Sequence, residues 1–461
     1  MTATNSGSPA AAPGLLPKAV VTGLGLLTPL GYSPWSTFRA LLEGRTICDR
    51  DAGLAQTVDP VQLARHVGTV SVARMGAGDP AVELAERAAR QACQEAGVDP
   101  LGLETIVASS KGAVTALESA ILDRMADQAP QRMPLILAAR QLQMGNRDTG
   151  FAAEGMRCRD ALVLGPHGYL ASMLMRRLGV RVVATVVSAC ASGLTALDLA
   201  RRMLVCRPPS QQPSRILVVA AEASLLPLFI HSYRRLGVLA PLRPGEYRAL
   251  PLDEGRRGFV LTETSAAMLL ERAQSVGHDR IEIVDTATAC DAHDMVRPSP
   301  TMDAIRHVSR RLLGRGPVDV LHPHAPGTID HDELEMATHR ALAGPACDVY
   351  ACKGALGHGL GAAGLVAAVV ACLCAMSGRR PPMPWLRRPI AAVRPEADRS
   401  DRPERAAEPQ AADRTPRIHP PPRTHAPPQT HIPQRTPAVF AGGFGGHAAG
   451  ALLRRGYSSG S

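Results

Sequence analysis

Aromatic residues are scarce in this chain, at only 3% of its 461 residues. The core of a protein of this length must therefore be built from Ala, Val and Leu, which favours tight packing of helices against a sheet. The ten cysteines show no C-x-x-C pair and no metal-ligand spacing. They predict dispersed thiols in a reducing cytoplasm rather than a disulfide framework or a metal site.

Three other signals are missing or incomplete. Residues 1–17 lack a basic start followed by an apolar core, so we expect a flexible leader rather than a signal peptide. The apolar stretch from Gly361 to Met376 is shorter than the ~20 residues that a membrane span needs. The segment from Lys18 to Gly31 contains G-x-G without the third glycine of a dinucleotide fingerprint. We therefore expect a cytoplasmic protein with no membrane span and no nucleotide site there.

The chain is basic, with a formal net charge of +10, which fits nucleic acid, a membrane surface or an acidic protein as partner. Much of the excess arginine lies in a Pro/Arg-rich insertion at residues 379–437, whose composition cannot form a core. The insertion lacks interleaved aromatics for stacking bases, so we expect a solvated loop rather than a nucleic-acid arm.

Runs of β-branched and aliphatic residues alternate with helical patterns, which predicts an α/β fold with both faces of its sheets covered. The predicted buried strands are Arg181–Val187, Ile216–Ala221, Ala266–Leu270 and Ile281–Val284. Helical spacing runs over Trp35–Gly44 and Pro80–Gly97.

Cys190 follows the first of these strands, in the stretch VVSACASGL. If the strand ends at Val187 and a helix begins near Ala191, the thiol stands at a helix N-terminus, where the dipole favours a thiolate and lowers its pKa. This strand-turn-helix pattern is typical of a nucleophile elbow. A buried structural thiol is the alternative. A stripe at helical spacing follows: Leu194, Leu197, Ala200 and Leu204.

Two later stretches place histidines in Gly-containing loops after predicted strands. VDVLHPHAPGTIDHDELE contains His324, and ACKGALGHGLGAAG contains Lys353 and His358. Active-site residues of α/β proteins gather in such loops. The alternative is that each histidine is a surface or packing residue.

Taken together, these motifs resemble the β-ketoacyl-(acyl carrier protein) synthases, the Cys-His-His condensing enzymes of the thiolase superfamily. The matching stretches, in order, are VVTGLG, ACASG, LPLDEGRRGFVLTET, HPHAPGT, K-x-x-x-x-H-x-x-GAAG and GGFGG. The resemblance implies a thiolase-like five-layered α-β-α-β-α fold with two pseudo-symmetric halves. The halves are expected at 18–272 and 273–461, the second interrupted by the insertion. A homodimer is also implied.

The resemblance also implies roles for individual residues. Cys190 would accept the acyl chain, His324 and His358 would complete the catalytic set, and Lys353 would support it. The substrate-binding residues would be Thr328, Gly443, Phe444 and Gly445, with Glu263 holding the loops around the site. The alternatives are a surface ammonium for Lys353, a core aromatic for Phe444 and an exposed helix-end carboxylate for Glu263.

The implied reaction is a decarboxylating condensation of malonyl-acyl carrier protein with the acyl chain on the cysteine, in fatty-acid or polyketide-type biosynthesis. The implied partner is the acidic acyl carrier protein, whose phosphopantetheine arm carries the substrate. No bound cofactor and no metal are expected. Two alternatives stay open: a non-catalytic partner subunit resembling a chain-length factor, and a thiolase.

The chain departs from the family's pattern at several positions. Pro326 stands where the family has a threonine that bonds the pantetheine arm, and His331 stands where it has an asparagine. The remaining departures are Ala367 for a glutamate, Thr264 for a glycine and Ala448 for an asparagine. These changes bear on substrate handling and on the role of Lys353.

Overall fold

The computed structural model describes residues 17–53, 59–71, 78–128, 158–207, 213–277, 280–394 and 436–456. The leader lies outside these residues except for Pro17, and so do residues 395–435 of the predicted insertion. Ten strands form one continuous sheet in the described ranges, in the order β3-β2-β4-β5-β1-β6-β10-β9-β7-β8. Their bounds are β1 Lys18–Leu27, β2 Glu104–Ala108, β3 Arg181–Val186, β4 Arg215–Glu222, β5 Thr264–Ala273, β6 Ile281–Cys290, β7 Val320–His322, β8 Asp348–Val349, β9 Pro437–Gly443 and β10 His447–Arg455.

The strand order contains an internal repeat. The first half reads β3-β2-β4-β5-β1, and the second half, read inward from its own edge, is β8-β7-β9-β10-β6. Each strand of the second half thus has the same position in its half as the strand numbered five lower has in the first half, so that β6 corresponds to β1 and β8 to β3. The directions match as well, since the two pairings nearest each edge are parallel and the next two are antiparallel. The halves join where Ala19–Val21 of β1 pairs with Ile281–Ile283 of β6.

Helices cover the sheet on both faces and also fill its centre. Their bounds are α1 Pro34–Leu42, α2 Pro60–Gly68, α3 Pro80–Ala96, α4 Val114–Gln128, α5 Cys158–Leu178, α6 Ser192–Val205, α7 Pro227–Arg235, α8 Asp303–Leu313, α9 Ile329–Ala343, α10 Lys353–Leu356 and α11 Ala363–Ser377. Helices α6 and α11 contact strands of both halves, whereas α3 packs outside the first half and α8 outside the second. The layers are therefore α-β-α-β-α, as the resemblance implied.

Since the core has few large aromatic side chains to fill it, helices and strands approach each other closely. Helix α3 is capped at its N-terminus by Asp79, whose side chain accepts a hydrogen bond from Ala81 N at 2.8 Å. A Cβ at Gly25 of β1 would lie 2.0 Å from Ala88 O of this helix. The second glycine of the G-x-G segment therefore lets a helix approach the sheet, a packing role that needs no nucleotide.

Strand β3 differs from its prediction as a buried strand. Its residues alternate between exposed and half-buried, and Val183 is 40% exposed. The reason is its place at the end of the sheet, where β2 is its one neighbour among the described strands. A β-branched run fits an edge strand as well as a central one, so composition alone could not separate the two.

The predicted start of the Pro/Arg-rich insertion is also corrected. Residues 379–394 are folded against the rest of the chain, and Trp385 and Ile390 are buried. The Asp253 carboxylate accepts hydrogen bonds from Arg387 N and Arg388 N at 2.8 and 2.7 Å. A few apolar residues among the prolines and arginines are enough to anchor this part.

One helical stretch, Leu360–Ser377, is long and apolar enough to cross a membrane, but 89% of it is buried inside the protein. It includes α11, the helix between the two halves. Gly364 of α11 allows a close approach to α6, since a Cβ there would lie 2.9 Å from Leu194 Cγ. The hydrophobicity of the stretch Leu360–Ser377 is thus explained by its burial in the core.

Candidate active site

Cys190 lies in the turn between β3 and α6, next to a strained residue. Ala189 has a φ of 47°, a left-handed conformation that is costly for a residue with a Cβ. The Ser192 hydroxyl donates to Ala189 O at 2.7 Å and accepts from Ser188 N at 2.8 Å, which fixes the turn. The predicted stripe that follows is buried: Leu194, Leu197, Ala200 and Leu204. The strand-turn-helix arrangement around the thiol is confirmed.

The expectation of a low pKa at Cys190 is wrong. The residue is 7% exposed, and burial raises the pKa of its thiol to about 12. The positive charges of Lys353 and Lys111 act against this rise, and the charge of Glu222 adds to it. Removing the thiolate from water costs more than these nearby charges return. Cys190 therefore rests as a thiol.

His324 follows β7 in a loop held from two sides. The Glu335 carboxylate of α9 accepts from His324 N at 2.6 Å and from Ala325 N at 2.8 Å. The Lys353 ammonium donates to His324 O. Ala325 has a φ of 34°, so the chain turns sharply directly after the histidine. These contacts position the imidazole through its backbone.

His358 follows α10 and is tied to the strand-like segment before β5. The backbone N–H of His358 donates to Val260 O at 2.7 Å, and its backbone carbonyl accepts from Thr262 N at 3.2 Å. The imidazole meets the Phe259 ring edge to face, with centroids 4.8 Å apart. Both histidines are thus held by hydrogen bonds to their backbone groups, which leaves the ring nitrogens available for chemistry.

The three predicted catalytic side chains meet in one cavity of about 470 Å³. Cys190, His324 and His358 all line it, and the two imidazole centroids are 5.3 Å apart. Burial, reinforced by the Lys353 charge, holds the pKa of each imidazole well below its ordinary value. The lowered pKa values favour the neutral form of both rings.

The GGFGG loop between β9 and β10 closes the cavity against the nucleophile. A Cβ at Gly443 would lie 3.0 Å from Cys190 N, so glycine lets the loop reach the cysteine backbone. Phe444 lines the cavity and stacks on Tyr233 at 6.2 Å. Gly445 has a φ of 78° and donates to Met295 O at 3.0 Å, which anchors the far end of the loop.

The other predicted residues also lie at or near the cavity. Lys353 is 4% exposed and Glu263 is fully buried, which excludes the surface alternatives for both. Glu263 accepts from Val70 N at 3.1 Å and thereby holds the loop after α2. Thr328 lines the cavity, and its carbonyl accepts from Arg256 Nε at 3.1 Å.

Comparison with known proteins identifies the family. The model of the "Beta-ketoacyl synthase, N-terminal domain" matches residues 17–275, and that of the "Beta-ketoacyl synthase, C-terminal domain" matches residues 280–385. The chain belongs to the β-ketoacyl synthase family. The family and the class of enzyme that the motifs implied are confirmed, and the thiolase alternative is set aside.

Individual relatives agree with this assignment. The chain is 24% identical over 390 residues to a 3-oxoacyl-[acyl-carrier-protein] synthase 2 of Coxiella burnetii, covering 79% of this chain and 87% of that one. It is 26% identical over 406 residues to the actinorhodin polyketide putative beta-ketoacyl synthase 1 of Streptomyces coelicolor, covering 81% and 80%. A type II polyketide ketosynthase solved with its acyl-carrier protein has the same fold, with a TM-score of 0.70, 18% identity and coverage of 95% and 100%.

Two of the departures from the family's pattern face the cavity, and three do not. Pro326 and His331 line the cavity. Thr264 instead bonds Leu27 O through its hydroxyl at 2.8 Å. Ala448 pairs with Ala289 between β10 and β6, and Ala367 is buried in α11. Of these changes, those at 326 and 331 alter the surface that a substrate meets.

The residues that hold the site were missed by the sequence reasoning. Glu335 binds the His324 loop and lies 3.4 Å from His331 and 3.2 Å from His339. A signal was present, because His331, Glu335 and His339 recur every four residues and therefore share one face of a helix.

Glu222 was missed as well. It is fully buried at the end of β4 and accepts hydrogen bonds from Ser110 N at 2.9 Å and Gly361 N at 3.1 Å. The sequence signal for Glu222 was the placement of a single carboxylate at the end of the apolar run ILVVAAE.

Proposed function

We propose that this enzyme condenses an acyl chain carried on Cys190 with malonyl-acyl carrier protein, releasing CO₂ and a β-ketoacyl-acyl carrier protein. The observation that carries the proposal is the shared cavity, which brings one thiol and two neutral imidazoles together from three distant segments. This is the set of groups that thioester transfer and enolate stabilisation require.

In the first half-reaction, the Cys190 sulfur attacks the acyl thioester of the carrier. Since the group rests as a thiol, its proton leaves as the C–S bond forms and ends on the departing pantetheine sulfur. The backbone N–H groups of Cys190 and Phe444 would hold the oxyanion, and the close approach of Gly443 to Cys190 N supports this assignment. One such donor is worth about 3 kcal/mol of barrier.

In the second half-reaction, malonyl thioester occupies the same cavity and loses its carboxylate. The developing enolate oxygen accepts N–H hydrogen bonds from His324 and His358, which serve as donors in their neutral form. The Lys353 ammonium, held at His324 O, adds positive charge behind them without touching the enolate. The enolate carbon then attacks the acyl carbon on Cys190 and displaces the sulfur.

The carrier partner is part of the proposal. The exposed Arg257 and Arg297 line the cavity together with Asp291 and Asp330, so two guanidinium groups are available to an arm that passes the opening. An anionic phosphopantetheine arm on an acidic carrier suits that surface. The solved ketosynthase with its acyl-carrier protein supports the same kind of partner.

A homodimer is also part of the proposal. Strand β3 ends the sheet in the described ranges, with Val183 of the strand and Val187 directly after it exposed at 40% and 52%. An apolar edge strand is a template for pairing with another chain. Since Cys190 lies in the turn after β3, pairing of this strand would stabilise the nucleophile turn.

Product formation tests the proposed reaction. Purified protein is supplied with acetyl-, hexanoyl- or decanoyl-acyl carrier protein together with malonyl-acyl carrier protein, and the carrier products are measured by mass spectrometry. We expect a β-ketoacyl product two carbons longer than the acyl donor. Cys190→Ala should abolish it, whereas the matched variant Cys206→Ala, at an exposed cysteine, should not. No product from the native chain would instead favour the partner-subunit alternative.

A further inference from the structure

The two proposed half-reactions differ in their proton balance. Acyl transfer moves the thiol proton of Cys190 to the leaving pantetheine sulfur, so no proton is gained or lost. Condensation breaks the bond to CO₂ and the C–S bond of the acyl-cysteine, forms one C–C bond, and leaves a thiolate on Cys190. Since burial keeps this group a thiol at neutral pH, each condensation takes up one proton.

Neither catalytic imidazole stores that proton. Both are buried, and both are neutral at physiological pH because burial lowers their pKa. Each one donates its N–H to the enolate, so a proton given to the sulfur must be replaced from elsewhere. The site therefore needs a group that exchanges protons with solvent and lies beside one of these rings.

His331 has that position. It lies in the first turn of α9 and lines the cavity, with 12% of its side chain exposed. Its ring centroid is 5.1 Å from that of His324. A Cβ at Gly442 of β9 would lie 3.1 Å from His331 Cε1 and 3.4 Å from His324 Cδ2, so glycine there leaves both rings room.

The surroundings of His331 include two acidic side chains of α9. Its Nε2 lies 3.4 Å from Glu335 Oε2. Although burial acts in the opposite direction, the His331 and His339 imidazoles hold the pKa of Glu335 well below its ordinary value, so this carboxylate is ionised. Asp332 also faces His331 from α9, and burial raises its pKa to about 6.

Other elements contribute opposing charges. The Lys353 ammonium of α10 acts on His324, and the His358 imidazole beyond it is neutral. Strand β9 passes the His331 ring at Gly442. His331 thus has the Glu335 carboxylate on one side, and the Lys353 ammonium lies at the backbone of the neighbouring His324.

We propose that His331, paired with Glu335, supplies the proton that condensation consumes. His324 gives its Nε2 proton to the Cys190 sulfur as the C–S bond breaks, takes a proton from His331 at Nδ1, and tautomerises back before the next cycle. His324 Nδ1 is buried, and neither it nor His331 Nε2 has a hydrogen-bond partner within the described residues, so the two rings move closer for the transfer. His331 is then reprotonated from solvent. This inference rests on the proposed function, and it assigns a role to a residue at which the chain departs from its family.

Separate measurement of the two half-reactions tests the inference. His331→Asn keeps a polar side chain of similar reach, and His331→Gln keeps a donor for Glu335, but neither carries a proton. In both variants we expect acylation of Cys190 by hexanoyl-acyl carrier protein within about twofold of the native rate. The condensation step of pre-acylated enzyme should fall on the order of 100-fold, the usual contribution of a general acid.

The pH dependence separates a proton donor from a structural residue. In the native enzyme the condensation step should slow as pH rises, because a general acid must carry its proton to act. The variants should lose this dependence, and added imidazole should partly restore their rate. The matched control His307→Asn, on the exposed face of α8, should behave as the native enzyme.

Two results would overturn the inference while leaving the proposed function intact. One is an equal loss in both half-reactions, which a merely structural role produces. The other is an unchanged condensation rate and pH profile in the variants. Absence of any acyl adduct on native Cys190 would instead remove the proposed function itself, and this inference with it.

Discussion

At the scale of single residues, burial controls the chemistry of the site. Cys190, His324 and His358 are each less than 10% exposed. Burial raises the pKa of the thiol and lowers those of the imidazoles, so all three are uncharged at rest. An uncharged site suits a reaction in which charge appears on the enolate and then disappears, because fixed N–H donors act strongly in a water-poor cavity.

The raised pKa of Cys190 predicts slow, strongly pH-dependent alkylation of the substrate-free enzyme. Only the thiolate reacts, so the rate with iodoacetamide should rise about tenfold per pH unit from pH 7 to pH 9.5 without levelling off. Peptide mapping measures Cys190 and the exposed Cys206 in the same sample, which gives an internal reference. A plateau for Cys190 below about pH 8 would show that the dipole of α6 outweighs burial.

The sequence predicted the reacting residues but not the groups that hold them. Cys190, His324, His358 and Lys353 stand in short motifs, where local spacing carries the information. Glu335 lies eleven residues after His324, on a helix that packs back against the His324 loop. No local sequence pattern describes a contact of this kind. The protonation state of Cys190 depends on how deeply the whole chain buries it, so the helix N-terminus alone led to the wrong direction.

At the scale of elements, the site is built by turns and loops that approach one another closely. The β3–α6 turn carries the nucleophile, the loop after β7 carries His324, and the β9–β10 loop reaches over to Cys190. Strain at Ala189 and Ala325 shows that the surrounding fold dictates these conformations. The closeness depends on Gly443, where a Cβ would lie 3.1 Å from both Ala189 Cβ and Ser188 O.

Gly443→Ala should therefore impair catalysis more than stability. The added Cβ pushes the Phe444 loop away from Cys190 N and opens the proposed oxyanion pocket. We expect condensation to slow on the order of 100-fold, since a misplacement of about 1 Å has such an effect. Gly277→Ala is the matched control, because a Cβ there meets only Arg280 Cγ at 3.8 Å. Equal activity of the two variants would show that the loop is not held against the nucleophile.

The elements themselves were predicted with uneven success. Helices α1 and α3 begin within a residue of the predicted bounds, because Pro34, Pro80 and Asp79 mark helix starts chemically. The exposure of β3 was predicted wrongly, since a strand's place in the sheet depends on pairings with segments far away in the chain. The folded start of the Pro/Arg-rich region was missed because composition hid its few apolar anchors.

At the scale of the whole molecule, two halves of the same strand order enclose α6 and α11. The repeat was implied by the resemblance but not visible in the residues, since equivalent strands share topology rather than sequence. The arrangement places the nucleophile in the first half and both histidines in the second. Cys190 and the imidazoles therefore meet only when the two halves are correctly joined.

The exposed edge strand β3 of the first half predicts that the chain forms a dimer. We expect the native chain to run as a dimer in size-exclusion chromatography with light scattering, held by pairing of β3 strands. Val183→Glu places a charge on the exposed edge and should give a monomer with reduced activity. Leu101→Glu, at a position 74% exposed and outside the strand, should leave the dimer intact. A native monomer, or a Val183→Glu dimer, would contradict this expectation.

The central claim is that Cys190 alone carries the acyl group and that His324 and His358 act on it only in the second step. The most direct measurement is peptide mapping by mass spectrometry after incubation with acyl-acyl carrier protein, before and after malonyl-acyl carrier protein is added. The native enzyme should show an acyl adduct on Cys190 that the second addition removes. His324→Ala and His358→Ala should form the adduct and retain it. An adduct on another cysteine, or its removal in both variants, would contradict the account.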